Sequence, residues 1–386
     1  MLYELILSSK QSSTHTFKFQ SFLLASSGVV TMDKYKTAIH TCKVFCRALT
    51  LVLIIQPVQA VQSSELTFLN WSDYIDPLIL DEFKQRTGIT VKQIYFESDA
   101  DRDEILVETE AKGFDMVLID GISIRILANR GWLEPLNEQD IPNLKHIDPR
   151  WRNAHEEAKV YAVPYFWGTI GIAYRKDLVS SPVSSWMDLL QPAAQLHGKV
   201  AMFSDTRDLL GVGLKALGYS LNSTNTQELK EAEALLQTQA PAVTTYKYVS
   251  RDEHSALVAG QVAIAMMYNS YALMVQKHHS EIAFVLPEEG SNIWVDYISI
   301  LSSSSNKAGA KQFLNFLNEP EIAAQLAEFV YSATPNLAAE ALLPVEFKNN
   351  VAIYPSQAAL QKSEINQRLP AQAQKLRAAI FSRLVN

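Results

Sequence analysis

Cysteine is almost absent from this chain. Two of 386 residues are cysteine, Cys42 and Cys46, and both lie in the first 60. If those 60 residues are a removed leader, what remains has no thiol. That excludes a disulfide framework, thiolate catalysis and cysteine-containing zinc sites. The glycines complete neither a dinucleotide fingerprint nor a P-loop; Gly168, Gly171, Gly211 and Gly213 lack the spacing. No G-x-S-x-G elbow and no H-E-x-x-H pair occurs. His278 and His279 are adjacent, so on a helix they do not share a face, and a surface pair fits better than a metal site. Triad residues can be scattered along a chain, so an enzyme stays open as a class.

The N-terminus follows a secretory logic. Met32 opens MDKYKTAIHTCKVFCR, with Lys34, Lys36, Lys43 and Arg47. The apolar run ALTLVLII follows, then QPVQA, where Val58 and Ala60 stand like the small residues of a cleavage site. This order predicts a signal peptide within residues 1–60, a true start at Met32 and cleavage after Ala60. The competing reading is a membrane anchor, for which the run is too short. No cysteine follows the run, which weighs against a lipid anchor.

Charge of one sign is also scarce beyond the leader. Residues 1–60 hold six of the 34 Lys/Arg and two of the 41 Asp/Glu, so the rest carries 28 bases against 39 acids, a net −11. An acidic exported protein is a poor nucleic-acid binder and suits a small cationic ligand better.

Short apolar strands alternate with helical patterns after the leader. LTFLNW, VKQIYFE and FDMVLID read as strands. IDPLILDEFKQRTG and the charged segment 101–112 read as helices between them. This order implies a mainly parallel sheet covered by helices, with ligands outside the C-terminal strand ends, near 70–74 and 120–122. The long extended run YAVPYFWGTIGIAYR leaves that unit. GKVAMFSD, VAIAMMYNS, IAFVLP and SNIWVDYISI then read as further strands. TQELKEAEALLQTQ, NKAGAKQFLNFLN, EIAAQLAEFV and the tail LPAQAQKLRAAIFSRLV read as helices. Two α/β units without a flexible linker predict lobes around a cleft.

Acids and aromatic rings recur together at the predicted strand ends. NWSDY holds Trp71, Asp73 and Tyr74, SDTRD holds Asp205 and Asp208, MMYNS holds Tyr268, and IWVDY holds Trp294, Asp296 and Tyr297. A cation in a cleft needs acceptor oxygens for its N–H groups and is attracted to ring faces. An aliphatic polyamine offers both charged nitrogens and greasy spacers. Taken alone, Asp205 reads as a helix N-cap with Asp208 in the first turn. Asp296 is harder to explain without a partner. In an extended segment Ile293, Val295 and Tyr297 point one way and Trp294, Asp296 and Ile298 the other, so a carboxylate shares a strand face with a tryptophan.

These stretches resemble the periplasmic spermidine/putrescine-binding proteins. The matching segments are LTFLNWSDYIDP, FKQRTGITV, FDMVLID, VPYFWGTIGIAY, SSWMDLL, SDTRDLLGVGLKALGYS, IAMMYNS, LPEEGSNIWVDYISI and ATPNLAAEALL, in the family's order, from about Leu66 to the C-terminal helix. The resemblance implies a two-lobed periplasmic binding protein fold of the α/β class, each lobe a mainly parallel sheet flanked by helices. Lobe 1 is expected at 61–173 and 293–338, and lobe 2 at 174–292 and 339–386. By the same resemblance Trp71, Tyr74, Asp205, Asp208, Tyr268, Trp294, Asp296 and Asn366 bind ligand. Asp208 stands where spermidine binders carry glutamate, Tyr268 at a tryptophan position and Asn366 at a glutamine position. Asp120 and Ile122 replace a serine and a tyrosine, and a pocket tyrosine position falls on Ser332 beside Tyr331. Ser72, Asp120 and Tyr331 are therefore further candidates.

The family contains ABC-transport receptors and a sensor branch. The sensors report norspermidine or spermidine to a membrane-bound cyclic-di-GMP enzyme that controls biofilm formation. The altered pocket resembles the sensor branch more. The implied partners are a polyamine and either the periplasmic part of an inner-membrane signalling protein or an ABC permease, with no cofactor, metal or nucleic acid. Two other classes compete: an exported hydrolase using Asp205 or Asp296 as general base, and a binder of another small cation or a peptide.

Overall fold

Capped helices and short apolar strands alternate from residue 65 onward. A computed structural model describes residues 65–385; the expected leader and both cysteines lie outside the described residues. The helix Pro77–Thr87 shows why the local signals work. The Asp76 side chain accepts from Leu78 N–H, Pro77 begins the first turn, and Gly88 ends the helix at φ 76°, a left-handed conformation that glycine adopts without strain.

The first strands, β1 (Glu65–Asn70), β2 (Thr90–Tyr95) and β3 (Met116–Asp120), pair in parallel around β1. Next come β4 (Val163–Arg175), β5 (Val200–Ala201), β6 (Val243–Thr245), β7 (Ile264–Tyr268), β8 (Ile282–Val285), β9 (Asn292–Ile300) and β10 (Glu364–Ile365). The sheet runs β2-β1-β3-β9-β4-β7-β5-β6, with β8 on β4 and β10 on β9. Each outer part is parallel, as expected from strand–helix–strand units. The middle is antiparallel, because β9 returns against β3 and β4, and β4 pairs with β7 and β8. The expected strand over 198–205 shrinks to the two residues of β5. After it the chain turns into the cap of the helix Thr206–Ala216.

Two main hydrophobic cores divide the molecule, and β4 passes from one to the other. Val163–Trp167 join a core that holds Phe68, Phe83, Ile119, Tyr297 and Phe313. Ile170 and Ile172 join a second core with Trp186, Leu209, Leu236, Ile264 and Met266. Ala173, Ala265 and Met267 face the opposite side of the second sheet, against Val249 and Leu257. That period of two puts helices or loops on both faces, as buried sheets require. Phe68, Phe83 and Phe313 are fully buried, and each contributes roughly 1.5–3 kcal/mol by leaving water. The later segment with Ala339, Leu343, Ala352 and Ile353 packs into the first core, and Ile380 and Leu384 of the final helix pack into the second. Two cores joined by a crossing strand give the two-lobed α/β architecture that the resemblance implies.

Gly168 lies between the two stretches of β4. A side chain there would meet Asn269 Oδ1 at 2.3 Å and the Trp294 ring at 2.4 Å. Its missing Cβ lets the Trp294 indole lie against the crossing strand.

Candidate functional site

A cavity of about 510 Å³ opens where the two cores meet, a volume suited to a small ligand. Strand ends supply most of its wall. The turn after β1 brings Trp71, Ser72, Asp73 and Tyr74. β3 ends at Asp120, and β7 at Tyr268. The helix Thr206–Ala216 brings Asp208 in its first turn. β9 lays Asn292, Trp294 and Asp296 along one side, and Asn366 follows β10. This is the position expected for ligands of open α/β sheets.

Rings line the cavity in two groups. Trp71 packs on Phe96 with centroids 4.4 Å apart. Tyr268 meets Trp294 edge-on at 6.1 Å and lies nearly parallel to Tyr248 at 6.1 Å. Methylene spacers of a ligand can lie against such faces, and its cationic nitrogens gain from the ring quadrupoles.

Among the described residues Asp208 and Asp296 line this cavity without an ion pair, as do the exposed Glu97 and Asp252. Asp296 accepts the Tyr74 hydroxyl at 2.6 Å. Tyr165 in turn donates to the Tyr74 carbonyl at 3.0 Å, which fixes the turn. Burial pushes the Asp296 carboxyl up to about 7, with the Tyr74 hydrogen bond opposing. Asp208 is 6% exposed. Its Oδ1 accepts from Asn292 Nδ2 at 3.0 Å and Asn366 Nδ2 at 3.2 Å, and Tyr268 Oη lies 3.4 Å from Oδ2. Burial and then the neighbouring Asp205 charge push Asp208 up to about 7, against Arg207. A cation placed between these two acids would restore their charge.

A second acid group is already neutralised. Asp120 caps the helix Gly121–Asn129, accepting from Ile122 N–H at 2.9 Å and from the Ser123 hydroxyl at 2.6 Å. Arg207 reaches it from the other lobe at 3.4 Å and reaches Asp99 at 3.3 Å. The buried Arg102 binds Asp99 at 2.7 Å and Asp120 at 3.4 Å. Burial alone would raise the Asp120 carboxyl, but the two guanidinium groups and Ser123 hold it well below the usual range. Arginines interleave these acids, and no group of His, Cys, Asp and Glu among the described residues is arranged for a metal ion.

Nine of the candidates line this cavity: Trp71, Ser72, Tyr74, Asp120, Asp208, Tyr268, Trp294, Asp296 and Asn366. Two do not. Asp205 caps the helix Thr206–Ala216, accepting from Arg207 N–H at 2.8 Å and Asp208 N–H at 2.9 Å, so its side chain serves the backbone. Tyr331 ends a helix in the left-handed region at φ 56°, and Lys277 Nζ lies 3.9 Å from its ring centroid. Its ring packs beside Phe347 and Lys277 and does not line the cavity. Sequence reasoning passed over Asp99, Arg207, Arg251 and Asn292. Arg251 donates across the cleft to the Ser72 carbonyl at 2.6 Å and to Asp73 at 3.0 Å. Asn292 was within reach, because the period of two that pairs Trp294 with Asp296 extends to it.

Comparison with known proteins now decides the family. Residues 79–355 match the model of the bacterial extracellular solute-binding proteins. This chain belongs to that family. It is 32% identical to a norspermidine sensor of Vibrio cholerae over 87% of this chain and 93% of that one. It is 29% identical to a spermidine/putrescine-binding periplasmic protein of Escherichia coli, over 81% and 90%. Among solved structures, the substrate-binding protein of a spermidine/putrescine ABC transporter from Streptococcus pneumoniae matches with TM-score 0.74 at 30% identity, over 83% and 98%. These relatives are named for binding and sensing, not for catalysis. No helix among the described residues is long and apolar enough to cross a membrane.

Proposed function

We propose that this protein binds a polyamine of the norspermidine/spermidine class in the periplasm, without catalysing a reaction on it. The observation that carries the reading is the pair Asp208 and Asp296. Asp208 is buried and Asp296 half-buried, neither forms an ion pair among the described residues, and both sit on a ring-lined cavity. Ligand ammonium groups meet the acids, and Trp71, Tyr268 and Trp294 cover the methylenes. Arg207 does not repel such a ligand, because Asp99 and Asp120 take its charge. The two arginine bridges, Arg207 and Arg251, join the two sides of the cleft. Core membership supports a division in which residues up to about Trp167, with 293–353, form one lobe, and Ile170–Asn292 with the final helix form the other.

Calorimetric titration with norspermidine, spermidine and putrescine tests the reading. Micromolar or tighter binding of at least one is expected; no heat with any of the three removes it.

In the cell, the protein reports ligand to the periplasmic part of a membrane-bound cyclic-di-GMP enzyme that controls biofilm formation. The likeness to a norspermidine sensor across most of both chains favours this role. Delivery to an ABC permease is the second reading, favoured by the likeness to transport receptors. Gene deletion separates them: lost polyamine uptake with unchanged biofilm signalling would reject the sensor role.

A further inference from the structure

Arg207 stands in the first turn of the helix Thr206–Ala216 and reaches across the cleft. Its Nη2 donates to Asp99 Oδ2 at 3.3 Å and its Nη1 to Asp120 Oδ1 at 3.4 Å. Arg102 takes the other oxygen of each acid, Asp99 Oδ1 at 2.7 Å and Asp120 Oδ2 at 3.4 Å. The two guanidinium groups differ in access. The Arg102 side chain is 1% exposed and belongs to the packed protein. The Arg207 side chain is 33% exposed, and it lines the cavity together with both acids. Asp120 lies opposite Asp296 in the β3–β9 ladder, so this acid pair adjoins an acid assigned to the ligand. Asn292, which holds Asp208, is four residues from Asp296 on β9, roughly 13 Å along the strand. A triamine can bridge that span.

We propose that Arg207 sets the length of the ligand by filling the place that a further ammonium group would take. This rests on the polyamine reading and deepens it. The cavity favours a triamine over a tetraamine, whose extra aminopropyl arm meets a resident cation. Without Arg207, two carboxylates face one guanidinium, and Asp99 Oδ2 loses its partner. An acid left unpaired in a cleft attracts a replacement cation.

The test is calorimetric titration of spermidine and the tetraamine spermine into the wild type, Arg207→Ala and Arg207→Lys. The wild type is expected to prefer spermidine. In Arg207→Ala the ratio of spermine to spermidine affinity should rise about tenfold or more, the scale of one hydrogen bond to a charged group. Arg207→Lys, which keeps a cation, should return the ratio toward that of the wild type. If Arg207→Ala weakens both ligands equally, Arg207 serves only to bridge the cleft and the proposal fails. A wild type that prefers spermine also overturns it. Crystals of Arg207→Ala with spermine separate a local contact from a change in net charge. A ligand nitrogen within about 3.2 Å of Asp99 Oδ2 supports the proposal, and none there rejects it. If the variants do not fold, the wild type with spermidine decides. Arg207 still held between Asp99 and Asp120 supports the proposal, and a ligand nitrogen in its place rejects it. A wild type that binds no polyamine refutes the functional reading instead, a different result.

Discussion

Asp120 and Asp296 stand opposite each other in the antiparallel ladder between β3 and β9, yet they are chemically unlike. Asp120 is capped into a helix and clamped by Arg102 and Arg207, and its carboxyl is held low. Asp296 meets one tyrosine hydroxyl, and its carboxyl is pushed up to about 7. Two like charges facing each other across strands repel. The fold resolves this by supplying cations to one acid and leaving the other to find its cation elsewhere. Residue type and position in a sheet do not set the role of an acid; its partners do. Partners also differ between Asp208, which accepts from neutral amides, and Asp99, which meets Arg102 and Arg207, although burial raises the Asp99 carboxyl as well.

Several substitutions sharpen this contrast. The largest effect is expected for Asp296→Asn, which removes an acid proposed to meet ligand charge. Polyamine affinity should fall on the order of a hundredfold, in line with truncating a buried charge pair. Asp120→Asn should fall only a few-fold, through loss of one bridge between the lobes. Equal losses in the two variants by calorimetry would break the distinction.

The pH response is next in size. Asp208 and Asp296 have folded pKa values raised from 3.8 to about 7, so the folded protein binds their protons more tightly than the unfolded chain. Ligand-free stability should fall as pH rises from about 4 to about 7. Ligand affinity should rise over the same window, because a cation prefers the ionised acids. Asp120 has the opposite sign: its contribution to stability is present above the ordinary aspartate value and is lost in more acid solution. Melting curves with and without spermidine should therefore diverge as pH rises, and parallel curves would contradict the assignment.

Smaller effects follow from support residues. Tyr74→Phe removes the 2.6 Å hydrogen bond to Asp296 and should cost about tenfold or less in affinity. It should also raise the pH at which binding sets in. Gly168→Ala forces the Trp294 ring off β4, so affinity should drop a few-fold with a change in tryptophan fluorescence. An unchanged spectrum would place Trp294 elsewhere.

Much of this was legible in the chain. The strand–helix alternation, and Pro77 and Gly88 at the two ends of the first helix, are local signals, and the structure follows them. The period of two in IWVDY put Trp294 and Asp296 on one face. The bare reading of SDTRD as a cap followed by a first-turn acid describes Asp205 and Asp208 as they stand. Adjacency in sequence is a weaker guide than geometry. Tyr331 is adjacent to a pocket position in sequence, but its ring packs beside Phe347 and not on the cavity. The clamp on Asp120 was not legible, because Arg207 lies 87 residues further along the chain and on the other lobe. No local pattern announces such a pair, and the same holds for Arg251 and Ser72.

The central claim is that Asp208 and Asp296 are the acids that exchange protons for a ligand's charge. Calorimetric titration of spermidine across pH 5–8 tests it on the wild type and on the Asp208→Asn, Asp296→Asn double variant. Terminal alkylamines, like the lysine ammonium, stay charged through this range. The account predicts wild-type affinity that climbs toward a plateau above about pH 7, and weak, nearly pH-independent binding in the double variant. A wild-type affinity that is flat with pH, or a double variant that keeps the same slope, would contradict it.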